Sequence, residues 1–160
     1  MKRWQPLWTL VVLLVCLAVP LAGVQAQSDE AVIQYRQKVM QSNGANMGAI
    51  ADILKNKLPY KDHIVTHAKE ITLGSTLIAA AFKQKIAEGK TDAKPEIWQD
   101  WNKFVAAVDA MEQESTKLAE VAQAGDMDAI AAQVKKLGGA CGDCHKPFRK
   151  PKEESYKQQQ

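Results

Sequence analysis

The stretch DMDAIAAQVKKLGGACGDCHKPFRK, residues 126–150, decides how the chain is read. It opens on Asp126, a residue type whose carboxylate caps the free N–H groups of a helix start. Met127, Ala131, Val134, Gly138, Cys141 and His145 then follow at intervals of three and four, the spacing of one helical face. At about 100° per residue, His145 falls on the centre line of that face, which predicts an imidazole pointing inward.

Within this stretch stand Cys141, Cys144 and His145. Two cysteines separated by two residues, with histidine directly after the second, form the attachment pattern of a c-type haem. The chemistry explains the spacing. Positions i and i+3 share a helix face, so both thiols can reach the two vinyl groups of one porphyrin and form thioethers. His145 is then placed to offer its imidazole to the iron. A redox dithiol expects a βαβ setting. A zinc site would need a second Cys/His pair, which the sequence lacks. A structural disulfide is the remaining alternative, and the complete motif favours haem c.

The chain has 160 residues, enough for one domain with a real core. Residues 1–26 read as a secretory signal peptide: Lys2 and Arg3 lead an apolar run, and Pro20, Gly23, Val24 and Ala26 form a small-residue exit. Cleavage is expected after Ala26, and Cys16 leaves with the leader. The alternative is a retained membrane anchor, since residues 7–24 just reach spanning length. Removing Lys2 and Arg3 lowers the formal charge from +3 to +1, so no basic field points to nucleic acid. Export implies an oxidising compartment, the periplasm, yet the mature chain keeps two cysteines in one motif.

The mature sequence, rich in Ala, Lys, Glu and Gln, favours helices, and breakers divide it into four. The expected segments are 29–57, 62–88, 95–124 and 126–150, ended by Pro59, the 89–92 turn, Gly125 and Pro151. Residues 151–160 read as a disordered tail. The second helix carries the stripe Ile64, Ala68, Ile71, Ser75, Ile78, Phe82 and Ile86. The third carries Ile97, Trp101, Phe104, Val108, Met111 and Leu118. Four amphipathic helices on short loops predict an all-α, up-down-up-down antiparallel four-helix bundle over residues 27–150.

The first helix has the stripe Val32, Val39, Met47, Ile50 and Leu54, with Arg36 and Asn43 set inside it. A cation and an amide on a core face need partners, and haem propionates would pair with Arg36. Met40 flanks the same face. It lies about 15 Å into the first helix, and His145 lies about 8 Å from the end of the fourth. In an antiparallel bundle these are the same end, so a haem between them is feasible.

These residues resemble the class II c-type cytochromes, the cytochrome c′ family, over essentially the whole mature chain. The resemblance is carried by Gly138, Cys141, Cys144, His145, Phe148 and Arg149, by Tyr35-Arg36-Gln37, and by Lys94 to Trp98. The family divides at the residue four after the Arg of the first helix: high-spin members have Leu or Phe there, and this chain has Met40. The run from Met40 to Met47 resembles the low-spin subgroup, which implies His145 and Met40 as the two axial ligands of one covalent haem c. A thioether suits haem iron and favours the reduced state. Met47, one heptad along, is the competing methionine. The resemblance places Arg149 on the proximal side near His145, with Phe148, Trp98, Trp101 and Phe104 as candidate pocket walls.

His63 and His67 stand one turn apart without an aligned third ligand and read as a surface pair. Leu73 and Leu77 lie opposite the core stripe and mark a candidate homodimer contact through the first two helices. No nucleophile or general base stands out, so no enzymatic activity is expected. The expected function is a periplasmic single-electron carrier with low-spin His/Met haem, working with redox partner proteins. The alternative is a protein that binds nitric oxide or carbon monoxide, with Met40 absent from the iron or easily displaced. A bundle without haem is a third, weaker reading.

Overall fold

The computed structural model describes residues 22–158. Six helices follow in order: α1 (Ala22–Lys55), α2 (His63–Thr76), α3 (Ile78–Ala81), α4 (Glu96–Gln99), α5 (Trp101–Ala124) and α6 (Met127–Phe148). The four long ones, α1, α2, α5 and α6, build the all-α bundle expected from the sequence. α2 packs on both α1 and α5, and α5 packs on α6. Among the described residues there is no strand, only an isolated bridge between Ala93 and Arg149.

Local chemistry sets the helix ends. Asp126 Oδ1 accepts from the N–H groups of Asp128 and Ala129 at 3.0 and 3.2 Å, capping α6 as its side chain predicts. Gly125 closes α5 with φ +76°, a left-handed conformation that glycine adopts without strain. Asp100 splits the expected third helix into α4 and α5: it leaves helical geometry and caps α5 by accepting from Lys103 N at 3.3 Å.

The stripe of the second segment is buried throughout: Ile64, Ala68, Ile71, Ser75, Ile78, Phe82 and Ile86 all lie inside. Its secondary structure departs from expectation. The helix ends near Ala81, and residues 82–95 run without helical structure. The cause is distant in sequence. Arg36 donates to the carbonyls of Ala81 (2.8 Å), Ile86 (3.0 Å) and Gln84, drawing them away from helical partners. Trp98 Nε1 donates to the Phe82 carbonyl at 2.7 Å.

Two other expectations are corrected. The buried line of α6 runs through Ile130, Gln133, Leu137 and Phe148, with Cys141 and Cys144 half-buried beside it. His145 is therefore on the flank of that face and exposed, one position off the centre line. The tail is also ordered over its described part. Two 3₁₀ turns, Lys152–Glu154 and Tyr156–Gln158, fold back on the bundle, and Ser155 is buried against Asp92.

The expected signal peptide and membrane anchor fall largely on residues 1–21, outside the described residues. No helix among the described residues is long and apolar enough to cross a membrane.

Candidate functional site

A cavity of about 340 Å³ opens between α1 and α6. From α6 and its end come Cys144, His145, Phe148 and Arg149; from α1 come Ile33, Arg36, Gln37, Met40, Gln41 and Gly44. The loop after α3 and the start of the third segment add Phe82, Thr91, Asp92, Ala93 and Ile97, and Phe104 comes from α5. The tail contributes Tyr156 and Lys157. The aromatic wall is interlocked: Phe104 meets Phe148 edge-on at 5.3 Å and Phe82 at 5.4 Å.

The structure thus brings together Cys144, His145, Met40, Arg36, Phe104, Phe148 and Arg149 around one space. Cys141 is one turn before Cys144 and packs against the core beside it. Four other candidates stand off the cavity. Met47 packs against the core, so of the two methionines only Met40 lines the space. Trp98 hydrogen-bonds Phe82 O and lies against the Arg36 guanidinium at 5.4 Å. Trp101 backs the wall, 5.5 Å from Phe104. Asn43 is 6% exposed and turns to α2, where it meets Gly74 with neither amide atom hydrogen-bonded.

Arg36 is 2% exposed, and its guanidinium holds three main-chain carbonyls rather than standing free for propionates. It also lies over the Phe82 ring at 4.8 Å. Its position on the core face is as the sequence predicts, but its partners are peptide groups. The pair His63 and His67 is occupied too: His63 stacks on Tyr60 at 5.2 Å, and His67 Nδ1 is 2.8 Å from Asn46 Oδ1.

Sequence reasoning missed Ile33, Gln37, Gln41 and Gly44 as lining residues. Their signal was available, since they share the α1 face of Arg36 and Met40 at helical spacing. Tyr156 and Lys157 had no such signal, because a short polar tail carries no periodicity.

The donor set fits a covalent haem. Cys141 and Cys144 are free thiols one turn apart on α6, followed by an imidazole that opens on the cavity, with a thioether on the facing helix. Burial raises the pKa of both thiols, and that of Cys144 reaches about 11 with the neighbouring Cys141 adding to the rise. Desolvation by the surrounding protein lowers the pKa of His145, and the Arg149 charge lowers it further. A neutral imidazole is the form that binds iron.

Comparisons with known proteins point to one family. A family model described as Cytochrome C′ matches residues 31–149. A cytochrome c′ of Rhodospirillum rubrum is 36% identical over 126 residues, covering 78% of this chain and 86% of the relative. The solved cytochrome c prime of Shewanella frigidimarina superposes with a TM-score of 0.71 at 27% identity, covering 77% of this chain and 97% of that one. A mutant cytochrome c prime of Alcaligenes xylosoxidans, solved as its nitric oxide complex, has a TM-score of 0.69 at 32% identity and covers 78% and 97%.

Proposed function

The chain belongs to the cytochrome c′ family, carrying one covalent haem c, and we propose that it is a periplasmic haem protein that binds nitric oxide or carbon monoxide at a distal position guarded by Met40. One observation carries this reading: His145 and Met40 line the same cavity from facing helices. A mutant of a solved relative at 32% identity is a nitric oxide complex, which supports binding of a diatomic ligand in this fold.

When bound, haem c supplies an iron that accepts a diatomic ligand or exchanges one electron. Cys141 and Cys144 would hold it covalently to α6, and His145 would offer its imidazole to the iron. Met40, on the facing helix, would offer the iron a neutral thioether, a donor weak enough to be displaced. Ile33, Ile97, Phe104 and Phe148 keep the cavity apolar and limit water beside the bound ligand. Arg36 positions the loop that carries Phe82 by holding its carbonyls.

A second reading, a low-spin carrier with His145 and Met40 both on the iron, is favoured by the placement of Met40, not Met47, on the cavity. Visible spectra of the oxidised and reduced protein, with and without carbon monoxide, separate the two. A spectrum that shifts on adding carbon monoxide, whether high-spin or low-spin beforehand, supports gas binding. Sharp low-spin bands indifferent to it support the electron carrier. For partners, we propose self-association through α1 and α2, where Leu73 is 68% and Leu77 46% exposed. Sedimentation of Leu73→Glu against the parent protein tests that contact.

A further inference from the structure

We infer that residues 150–158 form a strap that walls one side of the haem cavity, with Lys157 as the cation it offers to the haem carboxylates. This rests on the haem site and not on which ligand takes the distal position. The family model's match ends at residue 149, where the strap begins.

Asp92 is its anchor. The carboxylate is nearly enclosed, with its side chain 11% exposed. Its Oδ1 accepts from Tyr156 N at 3.1 Å, and its Oδ2 accepts from Ser155 Oγ at 3.0 Å and Arg149 Nη2 at 3.4 Å. The main chain adds Lys150 N to Asp92 O at 2.7 Å and Lys94 N to Phe148 O at 3.0 Å. Lys150 Nζ reaches Thr91 O at 3.3 Å. Two sequence-distant segments are thus tied at the cavity rim, and Ser155, 6% exposed, is the buried pin. Beyond that pin, Tyr156 and Lys157 face the cavity.

The charges of the cavity say why Lys157 matters. Three cationic side chains line it besides the imidazole: Arg36, Arg149 and Lys157. Arg36 is committed to three carbonyls, whereas Arg149, half exposed, spends only one Nη2 donor on Asp92 at 3.4 Å. Lys157 Nζ lies over the Tyr156 ring, 6.0 Å from its centroid, a contact that leaves its N–H donors open. Two haem carboxylates brought into this cavity would meet Lys157, whose three donors are open, beside the unspent donors of Arg149.

A cation and a water-excluding wall both disfavour the oxidised, more positive haem, so each raises the reduction potential. The test uses the haem-loaded protein. Lys157→Gln and a chain ending at Lys150 are compared with the parent by potentiometry, and Lys152→Gln serves as a charge control. The proposal expects a lower potential in the first two, the larger drop in the shortened chain, and none in the control. Amide hydrogen exchange on the parent protein should show Tyr156 N–H protected. Equal potentials in Lys157→Gln and the parent, or unprotected exchange at Tyr156, would overturn it. A shortened chain that loses haem leaves the Lys157→Gln comparison to decide.

Discussion

Arg36 Nε donates to the Ala81 carbonyl at 2.8 Å, joining the middle of the first helix to the point where the second helical run ends. The two residues are 45 positions apart, and the bond is buried. With the carbonyls of Gln84 and Ile86 on the same guanidinium, this single side chain shapes the loop that carries Phe82 to the cavity. Arg36→Met should therefore lose roughly 3 kcal/mol of stability, the cost of leaving buried acceptors unpaired. Urea unfolding of the haem-loaded protein measures it. Arg36→Lys should recover little, because an ammonium cannot reproduce the guanidinium fork. A wild-type midpoint in Arg36→Met would refute the anchoring role.

Asn43 and Gly74 make a second, separable prediction. A Cβ at Gly74 would overlap Asn43 Oδ1 and stand 3.1 Å from its Cγ, and both amide atoms of Asn43 are buried without partners. Gly74→Ala alone should destabilise by about 1–2 kcal/mol, as crowding outweighs the gain in helix propensity. In an Asn43→Ala background the same change should stabilise by about 0.5–1 kcal/mol, since space is now open and alanine favours helix over glycine. The sign reversal across the double-mutant cycle is the observable. Additive effects would mean the two side chains do not meet.

What is legible in the sequence follows periodicity and short-range chemistry. The buried stripe of the second segment is readable to the residue, and so are the Asp126 cap and the Gly125 stop, because each depends on neighbours within one or two turns. The break near Ala81 is not legible. Residues 77–88 contain no glycine or proline, and the force that ends the helix comes from Arg36 on another helix. The ordered tail is hidden for the same reason: its polar residues read as solvated, and their anchor, Asp92, is 63 positions from Ser155. The stripe through Val134 and Cys141 puts His145 one position too deep, because it runs beside the true buried line through Ile130 and Leu137. Haem attachment itself is legible from three residues, since its chemistry fixes their spacing.

The thiols give a pH prediction for the folded chain before haem is joined. The Cys144 pKa is pushed up from 9.0 to about 11, which lowers its thiolate fraction about 100-fold at neutral pH. Alkylation of Cys144 at pH 8 should be slower than that of an exposed thiol by about that factor. The stability linkage has two signs. A raised thiol pKa contributes stability that is present below 9.0 and lost as pH rises toward 11. The lowered His145 pKa contributes stability that is present above 6.5 and lost as pH falls through its depressed value. Denaturation midpoints should thus be highest between these limits. A midpoint that kept rising above pH 9 would contradict the burial of Cys144.

The distal side is decided by two substitutions at Met40 that separate bonding from bulk. Met40→Leu keeps an apolar side chain of similar size and removes the sulfur; Met40→Ala removes both. If the thioether competes with carbon monoxide for the iron, the apparent affinity of the parent is reduced by the fraction of time the site stands open. An open fraction of about 1–10% predicts that Met40→Leu binds carbon monoxide roughly 10–100-fold more tightly. If Met40 acts by bulk alone, Met40→Leu should match the parent and only Met40→Ala should bind faster. Met47 lies off the cavity, so Met47→Leu should leave carbon monoxide binding unchanged in either case. Flash photolysis of the reduced protein reads all three variants. A response to Met47→Leu with none to either Met40 change would move the distal role to Met47 and overturn the assignment drawn from the cavity.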